Sequence, residues 1–219
     1  MKWIYIVAGI ALFAKMLFVA NPGSDLSIPI VETVVRESGV VNAVSGIIFR
    51  NRLYDTIFEV VVFTLAIVGV KFLLANESTF SVVARFDDQP SIILARLGAT
   101  ISALVGIELA IRGHLSPGGG FAAGVAGGTA IGLVAITSSP EWMQAIYRRW
   151  RAATWEKLSV LLFILLSAIA LCGLELPHGD LGTLVSGGII PILNILVAIK
   201  VALGSWAVVL VFIHYRGLL

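Results

Sequence analysis

The sequence predicts an all-α membrane protein with about six transmembrane helices, a glycine-rich loop, and a helix expected to break before the last span. Three observations carry this. Of 219 residues, 58% are hydrophobic and 13% charged, where a soluble domain carries roughly 25% charge. The mean hydropathy is +1.00. The apolar residues also gather into runs of about 20, the length that crosses roughly 30 Å of hydrocarbon, so little chain remains for an aqueous domain.

Residues 3–20 form the first run, opened by Lys2 and interrupted by Lys15. It is too long for the apolar core of a signal peptide and lacks a clean small-residue cleavage site before Asn21-Pro22, so it reads as a retained helix. Residues 21–55 are mixed, but 40–49 are apolar. That run is too short to span, and a short buried or interfacial helix is expected. The second span covers about 56–75. A polar connection, 76–90, carries Glu77, Arg85, Asp87 and Asp88 and marks the best boundary, dividing a segment 1–89 from a segment 90–219.

The third span, about 91–112, ends in Gly113-His114-Leu115-Ser116-Pro117-Gly118-Gly119-Gly120-Phe121, and the fourth covers about 121–137. Arg148, Arg149, Arg151 and Lys157 then form a basic loop. The fifth span covers about 158–176 and the sixth 192–214. Between them, 181–191 is apolar but interrupted by Gly182, Gly187, Gly188 and Pro191, which predicts a helix broken within the membrane. Irregular backbone at that depth survives only where protein or a water-filled cavity satisfies it.

Charge excludes several classes of function. Fifteen Lys and Arg against 13 Asp and Glu leave a net charge of +2, which gives no basic surface for nucleic acid. One cysteine, Cys172, excludes an intramolecular disulfide and a cysteine-based zinc or iron–sulfur site; it is expected to be a small buried apolar residue. Lys2, Arg85, Arg148, Arg149, Arg151, Lys157 and Arg216 fall on one side of the predicted topology, and Arg36, Arg50, Arg52 and Arg112 on the other. This asymmetry predicts both termini in the cytoplasm.

The charges inside the spans are Lys15, Glu59, Lys71, Arg96, Glu108 and Lys200. Each costs about 2.5–3.5 kcal/mol at the bilayer centre, so each needs a partner, a cavity or a task. Lys15 and Lys71 lie near span ends and are expected to snorkel. Glu108 and Arg112 share a helical face and are expected to pair, as is Asp55 with a nearby arginine. Lys200 lies too deep to snorkel, and no acid stands within one turn of it on its own helix. A carboxylate and an amine at membrane depth, joined by water, are the parts of a proton or cation relay. Alternatively they are ion pairs that lock helices together.

The glycine segment lacks the Gly-Lys-Ser/Thr ending of a phosphate-binding loop. Gly120, Gly124, Gly128 and Gly132 form a ridge along one face of the fourth span, which lets a neighbouring helix approach closely. His114 either carries a proton, its ordinary pKa near 6.5 suiting that task, or hydrogen-bonds the glycine-loop backbone and fixes its shape. There is no ligand cluster at metal spacing and no nucleophile–base arrangement. No catalytic chemistry, metal or cofactor is expected in this chain.

At these residues the sequence resembles a known family. The 113–121 segment, followed by Ser186-Gly187-Gly188-Ile189-Ile190-Pro191-Ile192-Leu193-Asn194 and then Lys200, looks like the MnhB/MrpB subunit of multisubunit cation/proton antiporters. The same subunit type occurs in related membrane-bound hydrogenase and sulfur-reducing complexes of archaea. Upstream, Glu37-Ser38-Gly39-Val40-Val41-Asn42 and Arg52-Leu53-Tyr54-Asp55-Thr56-Ile57-Phe58-Glu59 are similar to the small MbhE-type subunit of those complexes and to the C-terminal part of the large subunit of the antiporters. Arg50 stands where that pattern has an acid, and Phe58 where it has glycine. The chain thus resembles a fusion of an E-type segment, 1–89, and a B-type segment, 90–219.

The resemblance implies an all-helical accessory subunit that works inside a large membrane complex, its partners being other membrane subunits, the bilayer, and Na+ and H+ as transported ions. It implies that Pro117 and Phe121 carry the family loop motif and Lys200 its intramembrane basic position. The expected ion path uses Glu59, Glu108, His114 and Lys200. A purely structural subunit is the alternative. A free-standing transporter is disfavoured because the two halves show no inverted repeat.

Overall fold

The structure, a computed structural model, describes residues 30–78 and 85–216, with Ile10 and Ala14 before them. The chain divides into two compact units, Met1–Thr33 and Val34–Leu219. The expected first span, with Lys2 and Lys15, lies outside the described residues.

Helix α1, Ile30–Ser38, stops at Gly39, whose φ of 67° lets its N–H turn back to the Val35 carbonyl at 2.9 Å, the usual glycine stop for a helix. Helix α2, Ala43–Gly46, is started by Asn42 and runs into a π-helical turn, Ile47–Asn51. This is the short helix expected near 40–49. Helix α3 is Leu53–Leu74. Helix α4, Gln89–Arg112, begins where the Asp88 carboxylate accepts the Ser91 N–H at 2.9 Å and Pro90 occupies the first turn, where a missing N–H costs nothing.

Helix α5 is Gly120–Ala135. Helix α6, Pro140–Arg149, is capped by Ser139, whose Oγ accepts the Trp142 N–H at 3.3 Å. Helix α7 is Ala152–Leu171 and α8 is Ile190–Arg216. Helices α3, α4, α7 and α8 are long and apolar enough to cross a membrane, and α5 is a shorter apolar helix. The protein is an all-α, multi-pass membrane protein.

Three expectations are corrected. Helix α7 starts at Ala152 rather than near 158, so Glu156 and Lys157 belong to a span and not to a basic loop. Trp155 and the alanines before it extend the apolar helix across two charges that the composition alone reads as a loop. Residues 181–189 are turns rather than a broken helix, with positive φ at Gly182, Gly187 and Gly188. Cys172 is exposed, immediately after α7, rather than buried.

Helix α8 is the axis of the bundle and packs against α3, α4, α5, α6 and α7. Val40, Leu53, Val60, Phe163, Leu193 and Val197 meet around it as the core. The α5–α8 contact depends on glycine. A Cβ at Gly120 would stand 2.5 Å from the Asn194 carbonyl oxygen, one at Gly128 would stand 2.8 Å from the Ser205 Cβ, and one at Gly124 would strike Val201. Gly132 meets nothing within 4 Å, so the predicted ridge is a packing surface over three of its four glycines. Outward, α4 exposes Ile93, Leu94, Leu97, Ile101 and Leu104 by 54–68%, a surface suited to lipid or to another apolar helix.

Candidate functional site

Lys200 lies about 15 Å along a helix about 40 Å long, at 1.5 Å per residue. It is 1% exposed. Its Nζ donates to the Oε1 of Glu156, itself buried on α7, and sits 5.4 Å from the centre of the Phe63 ring of α3. One carboxylate and one aromatic face from two neighbouring helices thus balance the ammonium that its own helix leaves without an acid. The ring contributes because its face is electron-rich and the site is desolvated. The Ser159 hydroxyl donates to the Glu156 carbonyl at 2.7 Å. Toward α6, burial and then the Glu156 charge hold the Tyr147 hydroxyl above its ordinary pKa, so the field of the carboxylate reaches that helix.

Phe63 has a second environment. It lines a groove of about 540 Å³ together with Glu59, Asn42, Gly118, Gly119 and Phe121. The ring therefore borders both the buried Glu156–Lys200 pair and an open groove that contains an exposed acid and the family loop residues. Two of the four expected path residues, Glu59 and Lys200, are thus brought into the surroundings of one side chain.

The other two lie elsewhere. Glu108 pairs with Arg112 at 3.1 Å on an exposed face of α4, as the spacing predicts, and does not line this groove. His114 is fully buried. Its Nε2 stands 3.4 Å from the Thr183 carbonyl and its Nδ1 has no hydrogen-bond partner. It therefore reaches the 181–189 turns rather than the backbone of its own glycine loop. Burial pushes its pKa below the ordinary value, which keeps the imidazole neutral. Asp55 pairs with Arg52 at 2.5 Å, and Lys71 is exposed in the last turn of α3.

Two asparagines hold the loop. Asn42 donates from Nδ2 to the Gly113 and Ser116 carbonyls, both at 2.8 Å, while its Oδ1 accepts the Val44 and Ser45 N–H groups at 3.1 and 3.4 Å. Its backbone N–H also bonds the His114 carbonyl at 3.1 Å. Asn194 donates to the Leu109 and Ala110 carbonyls at 3.2 and 2.8 Å, two of the four that the end of α4 would otherwise leave unpaired. Gly113 admits this contact, because a Cβ there would strike the Asn194 amide.

Glu156 is the residue that sequence reading passes over. The signal for it is present: an acid one helical turn inside an apolar run that begins at Ala152, opposite a lysine too deep to reach water. Among the described residues, no group of three His, Cys, Asp or Glu is placed to hold a metal ion.

No curated protein matches the chain. Among solved structures it is similar to a chain of the membrane-bound sulfane sulfur reductase, an archaeal respiratory membrane complex, with 27% identity, TM-score 0.71 and coverage of 97% of each chain. It is also similar in fold to part of a chain in the Mrp complex from Dietzia sp. DQ12-45-1b, with 21% identity, TM-score 0.63, and 94% of this chain covering 25% of that longer one. The family model for the domain related to the MnhB subunit of Na+/H+ antiporter matches residues 90–207, the segment that contributes α4 to α8, the glycine loop, Glu156 and Lys200, and the chain belongs to that family.

Proposed function

We propose that the chain is an accessory membrane subunit of a multisubunit Na+/H+ antiporter module, stand-alone or part of a redox-driven respiratory complex, and that it contributes intramembrane charge to the ion path. It has no catalytic chemistry or cofactor of its own in this reading, sits in a prokaryotic cell membrane with both termini in the cytoplasm, and contacts other membrane subunits. The carrying observation is the buried Glu156–Lys200 pair beneath Phe63, with family membership as its support.

The proposed path runs from the α6 end past Tyr147 to Glu156 and Lys200, around Phe63, and into the groove that holds Glu59. In this reading a proton or cation crossing the chain meets a charge in each of the two environments that the Phe63 ring borders. Charges at membrane depth are costly enough that an idle pair is disfavoured against apolar packing. With the chain divided into an E-type segment, 1–89, and a B-type segment, 90–219, Phe63 and Glu59 belong to the first and the ion pair to the second.

The second reading, a structural subunit, is favoured by one observation: the Lys200 ammonium is already fully paired. The two are separated with the E156Q/K200M double variant, which removes both charges and keeps their volume. Antiport in membrane vesicles is expected to fall at least about tenfold while the complex still assembles on a native gel. Full antiport from an assembled complex carrying that variant would remove the path role and leave the structural one.

A further inference from the structure

Away from the ion pair, a groove of about 890 Å³ opens at the α6 end of the bundle, between α4, α5, α6 and α8. Its mouth is polar and cationic: Arg85, Arg96, Ser138 and Ser139 lie there with Trp142. Its floor, running along the bundle, is Ala99, Ala103, Ala130, Ile131 and Val134. Neither arginine has an ion-pair partner among the described residues.

The backbone aims both arginines at the mouth. The Phe86 N–H bonds the Ile136 carbonyl at 3.0 Å, which ties the approach to α4 onto the end of α5 and holds Arg85 beside it. Arg96 lies about 10 Å into α4, at 1.5 Å per residue from Gln89, but helical side chains lean toward the N-terminus of their helix. Its guanidinium is therefore directed out of the apolar zone and toward Arg85. Trp142, Trp150 and Trp155 are 49–69% exposed at this end, as expected of side chains at a membrane–water boundary.

A cationic mouth at the boundary above a smooth apolar channel has the chemistry of one amphiphile. We infer that this groove binds an anionic phospholipid, its phosphate held by Arg85 and Arg96 and one acyl chain lying along the alanine floor. Guanidinium groups suit phosphate because their paired N–H donors match its oxygens. Asp87, Asp88 and Glu141 are exposed nearby in the chain but do not line the groove. The Asp88 carboxylate is engaged by Ser91 as the cap of α4, so it is turned to the helix and not to the groove. The site does not depend on the ion path.

The test uses the full chain in phosphatidylcholine bilayers containing rising fractions of phosphatidylglycerol with brominated acyl chains, which quench tryptophan on contact. Subtracting the W206F chain isolates Trp206, which lines the groove. Quenching is expected to reach half its limit at about one-tenth of the fraction needed with brominated phosphatidylcholine. R85Q/R96Q should bring the two curves together with helicity unchanged, and R85K/R96K should keep them apart. Coincident curves in the unmodified chain would overturn the proposal, as would separation that survives in R85Q/R96Q, or displacement of the brominated lipid by millimolar inorganic phosphate, which would mark a site for the free anion. If R85Q/R96Q does not fold, the separation of the two lipids in the unmodified chain still decides.

Discussion

The two environments that the Phe63 ring borders, one inner and one outer, differ in almost every physical respect. On one side, Glu156 and Lys200 are 7% and 1% exposed and neutralise each other. On the other, Glu59 is exposed and lines an open groove beside the glycine loop. The inner side is governed by desolvation, which makes each charge expensive alone and tolerable only as a pair. The outer side is governed by shape, since Asn42, Asn194 and small residues decide where the loop backbone lies. An acid in an open groove responds to what fills the groove, whereas a closed pair responds only to events that reach it through its neighbours.

The inner side should break first and hardest. K200A leaves the Glu156 carboxylate buried without its partner and is expected to destabilise the chain by about 3–5 kcal/mol, read as a fall in the thermal midpoint of the full chain in detergent. E156Q/K200M removes the same charge without stranding any, so its midpoint should stay close to that of the unmodified chain. A double variant as unstable as K200A would mean that packing, not charge balance, sets the cost on this side.

On the outer side, N42A removes two hydrogen bonds to the loop and the cap of α2. At about 1 kcal/mol for each bond and for the cap, roughly 2–3 kcal/mol should be lost. The effect should be local, seen as faster amide hydrogen exchange at residues 113–120 with little change in α7. G124V, which drives a side chain into Val201, should cost about 1–3 kcal/mol and slow or abolish assembly of the complex. Unchanged exchange in the loop after N42A would show that the asparagine does not hold it.

The contrast also explains which parts were legible in the sequence. Most of the spans were, because hydrocarbon imposes a length on apolar runs and admits few charges within them. The pairs Glu108–Arg112 and Arg52–Asp55 were, because they lie three or four residues apart on one helix. The outer groove was half legible, its glycine motif visible but not its asparagine ties. Glu156 was hidden by its context: next to Lys157 and shortly after Arg148, Arg149 and Arg151, it reads as part of a solvated loop. Its partner is 44 residues away, and no helical period links them. Gly132, conversely, continues the four-residue period although a Cβ there would meet nothing within 4 Å, so the period alone does not mark where the close approach ends.

The smallest expected effect is at His114, whose ring links the glycine loop to the 181–189 turns through Thr183. Its pKa is depressed in the folded chain, first by burial, while the unfolded chain titrates near 6.5. In the interval between the two values the unfolded state binds more protons, so stability falls as the pH is lowered. The contribution of the neutral ring is fully present above about pH 6.5 and is lost as the pH drops through the folded value. H114N should retain a polar contact at Thr183 without titrating there. The difference in thermal midpoint between the unmodified chain and H114N is therefore expected to be constant above about pH 7 and to move against the unmodified chain as the pH falls below about 6.5. A difference that stays level across that range would mean the imidazole reaches water, and would place His114 with Glu59 on the open side of the comparison.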